Sequence, residues 1–321
     1  MPLPAPRPIE RLADVTSAQF VREIAPAGRP AILVGCVADW PVVRAATRSA
    51  EDFLREVGRR DTGHPIDALL MRPDAHGRVG YDADMQGFNF LHNKLPLQQL
   101  IQQLWRYHQL PVAPGLAIQS ARIADCMPSF FDDHAMPFAP PRASPRLWIG
   151  NRVVTPAHFD ESNNLACVVA GRRRFTLFPA EQIGNLYIGP LDFAPTGTPM
   201  SLVDFNAPDL ERFPRFAEAM AHALVAELEP GDALYLPSLW WHHVESLDPI
   251  NGLVNYWWRG MPDQNDAPDT ALPLLHQAIR DLARLPAHER DGWRALFDHY
   301  VFDADDDTYA HLPTHRRGLS G

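Results

Sequence analysis

Thr155-Pro-Ala-His-Phe-Asp160, read together with Gly231-Asp-Ala-Leu-Tyr-Leu-Pro-Ser-Leu-Trp-Trp-His-His-Val-Glu-Ser-Leu247, decides the reading of this chain. The first run sets a histidine and an aspartate two residues apart. The second brings a histidine about eighty residues later, behind a short apolar run that reads as a strand. Alternate side chains of a strand share a face, so His158 and Asp160 point one way and Phe159 the other. Two imidazoles and a carboxylate fill one face of an octahedral divalent ion and leave three positions open. That is the donor set of non-haem Fe(II) oxygenases. His242 and His243 are neighbours, and alternation allows only one of them to face inward without saying which.

Both runs resemble the JmjC-like cupins (the cupin-8 group), whose best-known member is the asparaginyl hydroxylase that inhibits hypoxia-inducible factor. The resemblance continues through Val203-Asp-Phe-Asn-Ala-Pro208, Glu211-Arg-Phe-Pro214 and Val254-Asn-Tyr-Trp257, and is best between residues 146 and 260. It implies a mainly β fold with helices: a double-stranded β-helix, or jelly-roll barrel, with N-terminal α/β decoration. It also implies Fe(II) as the metal, with 2-oxoglutarate and O₂ as co-substrates. Carried over residue by residue, it makes His158, Asp160 and His242 the metal ligands. Thr155 and Asn164 then contact 2-oxoglutarate, and Asn255 and Trp257 lie beside it. The chain departs from its best-known relative at two positions. A lysine there corresponds to Arg173 here, and a tyrosine to Leu116. Arginine still pairs with a carboxylate, and in bidentate fashion, but it is longer and requires a reshaped pocket. The implied activity is hydroxylation of a C–H bond in a protein side chain, an amino acid or a small metabolite. The alternative is a non-catalytic or sensory metal-binding cupin module.

The bulk composition sets outer bounds. The chain has 321 residues, 46% hydrophobic and 21% charged, in the ordinary range for a globular protein. Its net charge of −10 disfavours broad attraction to nucleic acid or anionic membrane. Cys36, Cys126 and Cys167 are scattered and odd in number, which suggests a reducing compartment. The N-terminal Met1-Pro-Leu-Pro lacks the apolar core of a signal peptide, and no run of eighteen apolar residues occurs. The expected location is the cytoplasm, with no membrane partner and no nucleic-acid partner.

Residues 1–265 read as one oxygenase domain with its decoration, and residues 266–321 as a helical extension. Ser17 is expected to cap a helix bearing Phe20 and Ile24. Ser49 with Asp52 resembles a capping box before Phe53. Residues 127–145 read as a long loop, a lid or substrate wall. Asn164 to Val169 and Arg174 to Phe178 read as a hairpin across Gly171. A helix is expected at about 215–227. Leu272, Leu275, Ile279 and Leu282 form an apolar stripe at helical spacing, the expected seam of a homodimer. The acidic run Asp303 to Asp307 lacks the glycine and terminal glutamate of a calcium loop and reads as a solvated turn.

Overall fold

In Asn163–Ala170 almost every side chain is buried, which requires cover on both faces of the strand. Alternation divides the work. Leu165, Cys167 and Val169 join a large core with the N-terminal helices, while Ala166 and Val168 face a second core between two sheets. The computed structural model describes residues 3–262, 270–305 and 307–313. It divides into two units, Met1–Ala267 and Pro268–Gly321.

The first unit opens with β1 (Arg7–Pro8), β2 (Arg11–Leu12) and β3 (Ala31–Leu33). There follow β4 (Pro65–Met71), β5 (Phe90–Pro96) and β6 (Gly115–Arg122). The jelly roll proper is β7 (Ser144–Gly150), β8 (Val154–His158), β9 (Asn163–Ala170), β10 (Arg173–Phe178), β11 (Leu224–Leu228), β12 (Ala233–Leu236), β13 (Trp241–Ser246) and β14 (Asn251–Trp258). One sheet runs β1-β11-β10-β13-β8 and the other β2-β3-β12-β9-β14-β7-β6-β4-β5. The two face each other as a sandwich and, among the described residues, do not close into a barrel.

Helices cover the outer face of the nine-stranded sheet. Pro41–Arg48 and Ala50–Gly58 meet at Ser49, whose hydroxyl accepts the Asp52 N–H at 3.0 Å, as the capping pattern predicts. Val42, Val43, Phe53, Leu54 and Val57 are buried with Leu97, Leu100, Ile101 and Leu104 of the helix Leu97–His108. The Gly231-Asp232 pair is structural. Asp232 accepts from Gly35 N–H at 2.9 Å and Arg11 at 2.8 Å, and so ties the N-terminal strands to the jelly roll.

Four expectations change. β9 and β10 are not a hairpin: they belong to different sheets, and Gly171 turns the corner between them. It does so at φ +63°, where a Cβ would lie 2.5 Å from the Ile250 carbonyl. The helix at 215–227 stops at Ala221, and Leu224–Leu228 pairs with β10 instead. Ladder pairing overrides the helical preference of its Ala, Glu and Leu. Segment 127–145 is an anchored plug, not a lid. Phe130, His134 and Phe138 are buried in it, and His134 stacks on Phe130 at 3.8 Å. The first helix is capped by Thr16, one residue before Ser17, through the Gln19 N–H.

The second unit contains the helices Leu272–Asp281 and Ala287–Phe297 and a wide turn, Asp298–Phe302. The boundary expected at residues 265–266 lies outside the described residues, as does Asp306 of the acidic run. Asp305 closes a turn by accepting from Thr308 N–H at 3.0 Å. No helix among the described residues is long and apolar enough to cross a membrane.

Candidate metal centre

β8 and β13 are neighbours in the five-stranded sheet, and His158 lies directly opposite His242. Their ring centroids are 4.1 Å apart. Asp160 follows just beyond the end of β8, with an oxygen 3.7 Å from His242 Nε2. Phe159 points the other way, edge-on to Trp241 at 5.0 Å. One donor atom from each of His158, Asp160 and His242 lies within 4.8 Å of the others, the one such His/Cys/Asp/Glu cluster among the described residues.

The tautomers fit a metal. His158 Nδ1 is 2.9 Å from the Pro156 carbonyl, and His242 Nδ1 is 3.0 Å from the Trp240 carbonyl. A carbonyl only accepts, so each Nδ1 carries the proton and each Nε2 presents a lone pair. Burial holds the His242 pKa well down, with the neighbouring His158 adding to the effect, so the ring stays neutral. Burial pushes the Asp160 carboxyl up, offset by His158 and by the approaching Trp257 indole. That indole N–H reaches no well-formed hydrogen bond. A cation would resolve the competition in favour of the carboxylate.

His243 faces the opposite side of the strand. It stacks on Phe205 at 4.2 Å, and both of its ring nitrogens lack hydrogen-bond partners. Glu245 shares that outer face and lies 3.6 Å from Arg174. It therefore does not brace the cluster.

Thr155, Asn164, Arg173, Asn255 and Trp257 all line one cavity of about 660 Å³ with the three donors. Leu116 does not. It is fully buried in the helical core, because its side chain lies on the far face of β6. Alternation sorts the three consecutive arginines. Arg172 pairs with Asp248 and Arg174 with Glu227 on the outside, whereas Arg173 points in. Arg173 is 9% exposed, its Nε has no partner, and no carboxylate lies within ion-pair distance among the described residues. Burial alone pulls its pKa down to about 10. A charged guanidinium buried without an anion costs on the order of several kcal/mol, a cost that an anion entering the cavity would offset. The buried Asn164 Oδ1 is also unpartnered, and Asn255 accepts the Trp148 indole N–H at 2.8 Å. Of the other motif aromatics, Trp241, Tyr256 and Trp258 are buried in the core and Trp240 packs against it.

Sequence reasoning did not single out Gln119, Ser120, Arg146, Trp148, Thr196 and Thr198, which also line the cavity. Gln119 and Ser120 enter through a β-bulge in which both residues oppose Trp148, with Ser120 at φ +47°. No sequence signal marks that bulge. Arg146 and Trp148 share a face of one strand, and the sequence alone did not say that this face is the cavity side.

Fold, site and sequence agree. The cupin-like domain family matches residues 17–264, and the chain belongs to it. Among known proteins it is similar to tRNA wybutosine-synthesizing protein 5. It is 25% identical to the Mus musculus protein over 88% of this chain and 92% of that one. Against the Homo sapiens protein the identity is 26%, with the same coverage. It is 41% identical to Homo sapiens HSPB1-associated protein 1 over 113 residues, 35% of this chain. That match spans 22% of the longer protein. The likeness to the asparaginyl hydroxylase rests on the quoted motifs alone.

Proposed function

We propose that this chain is an Fe(II)- and 2-oxoglutarate-dependent oxygenase that hydroxylates a C–H bond of a protein side chain, an amino acid or a small metabolite. The observation that carries the reading is the pairing, in one cavity, of the His158–Asp160–His242 cluster with a buried guanidinium that has no acidic partner among the described residues. Ferrous iron, when bound, supplies dioxygen activation coupled to decarboxylation of 2-oxoglutarate to succinate and CO₂. His158, Asp160 and His242 hold the ion, and the Pro156 and Trp240 carbonyls fix the two imidazoles in the ligating tautomer. Arg173 pairs with the distal carboxylate of 2-oxoglutarate, with the Thr155 hydroxyl beside it. Asn164 and Asn255 position the co-substrate from the facing sheet. Trp257 lies beside the co-substrate, with its indole approaching Asp160.

A peptide or small-molecule substrate is favoured over nucleic acid by the net charge of −10. The name of the wybutosine-synthesizing relative makes tRNA the competitor to include. The unpaired cysteines suit a reducing compartment, and we place the protein in the cytoplasm.

The experiment is succinate formation from 2-oxoglutarate by the protein with ferrous iron and ascorbate, with and without pooled peptides, amino acids and tRNA. Succinate that disappears in Asp160→Ala supports the oxygenase. Tight iron binding with no succinate in any pool makes the chain a non-catalytic metal-binding module.

A further inference from the structure

Arg173 is not the only arginine in the cavity. Arg146 lines it from β7, in the same cross-strand row as Asn255 and Ala166. Among the described residues its Nε, sequestered from solvent, has no partner, and its side chain makes one hydrogen bond, a long one of 3.3 Å to the Ser120 carbonyl. No carboxylate lies within ion-pair distance of it among the described residues. Asp125, the acid whose charge acts on it, pairs with Arg122 at 3.5 Å, and Asp67 and Asp160 line the same cavity without forming an ion pair with it. Arg122 sits directly across from Arg146 in the ladder and repels it. Buried or partly buried arginines outside the cavity, such as Arg60 and Arg78, have partners. Arg60 has Glu56, Asp133 and the Ser129 carbonyl, and Arg78 reaches the Val203 carbonyl at 3.1 Å.

The surroundings suit an oxyanion. The bulge that displaces Ser120 aims its carbonyl at Arg146 and so orients the guanidinium. The Ser120, Thr196 and Thr198 hydroxyls and His92 line the same cavity. Burial and Arg122 both work against the charge of Arg146, and an incoming anion would offset them. At about 660 Å³ the cavity has room for a second small molecule beside the co-substrate.

We propose that Arg146 binds an oxyanion, carboxylate or phosphate, carried by the primary substrate, so that the substrate is a small anionic molecule. This rests on the oxygenase reading, in which Arg173 is already committed to 2-oxoglutarate.

The test uses the Mn(II)-loaded full chain saturated with 2-oxoglutarate, with inorganic phosphate and ¹³C-acetate as probes. Paramagnetic relaxation of the ³¹P or ¹³C nucleus reports binding near the metal without any turnover. Saturable relaxation is expected for at least one probe, and the tighter of the two names the anion class. Arg146→Gln should weaken it by about tenfold or more, with 2-oxoglutarate affinity and circular dichroism unchanged. Arg146→Lys should restore part of it. Wild-type relaxation that does not saturate, or that survives Arg146→Gln, overturns the proposal. A wild-type chain that binds neither Mn(II) nor 2-oxoglutarate overturns the oxygenase reading itself, and this inference with it.

Discussion

His158 and His242 stand opposite each other across β8 and β13, 4.1 Å between ring centroids, each with Nδ1 held by the backbone carbonyl two residues before it. Two strands thus aim two identical lone pairs at one point, beside Asp160. His158→Ala and Asp160→Ala should each abolish Fe(II) binding under anaerobic titration, because two donors do not hold the ion. The jelly roll should survive, since its cores are apolar and do not include the cluster. His243→Ala should keep the iron, because His243 faces the other side of β13. Full-strength binding by Asp160→Ala, or its loss in His243→Ala alone, contradicts the assignment.

Arg173→Ala should weaken 2-oxoglutarate binding by about 1.5–3 kcal/mol, the range of a hydrogen bond to a charged group. Arg173→Lys should recover part of that. Calorimetry with the Mn(II)-loaded protein reads both. An unchanged dissociation constant for Arg173→Ala removes the residue from the co-substrate site.

His243 gives the fold an acid-sensitive point. Burial pushes its pKa down to about 3, helped by Arg78 and His158, against an ordinary 6.5. The unfolded chain therefore binds this proton first. The contribution to stability is present in full above pH 6.5 and is lost progressively as pH falls from there toward 3. The metal-free protein should lose about 0.7 kcal/mol from this group between pH 7 and 6, and about 1.2 kcal/mol between pH 6 and 5, approaching the full value of about 1.4 kcal/mol per pH unit below that. His243→Phe keeps the stack on Phe205 and should flatten the slope by those amounts in urea melts at pH 7, 6 and 5. A slope identical to wild type excludes His243 as its source.

The second unit is proposed to pair with a second copy of this chain. Its helices bury no side chain, and Leu274, Leu275, Ile279, Trp293 and Leu296 are 41–57% exposed. Apolar faces of this kind mark interfaces, and two-fold pairing is the commonest assembly. Light scattering should give twice the 36.0 kDa chain mass for wild type. Leu275→Arg with Ile279→Glu should give a monomer with unchanged iron binding. A wild-type monomer at micromolar concentration ends the proposal.

The site was legible in the sequence where its chemistry is local. His158 and Asp160 follow from the two-residue period of a strand, and Arg173 from the resemblance to a family member that carries a lysine at that position. Features that depend on which strands meet were not legible. The Gly171 turn looks the same whether β9 and β10 pair or separate into two sheets. Leu224–Leu228 has helical composition and becomes a strand because β10 offers an edge. Ser120 enters the cavity through a bulge, a backbone event with no residue signature. Leu116 was placed near the co-substrate by alignment, and the face of β6 on which it lies puts it in the core.

The most direct test of the central claim is anaerobic titration of 2-oxoglutarate into the Fe(II)-loaded chain, followed by visible absorption. Chelation by the keto acid at iron gives a charge-transfer band. A saturable band in wild type is predicted, absent in Asp160→Ala and displaced to higher 2-oxoglutarate concentration in Arg173→Ala. Bound iron with no band at millimolar 2-oxoglutarate would contradict the account.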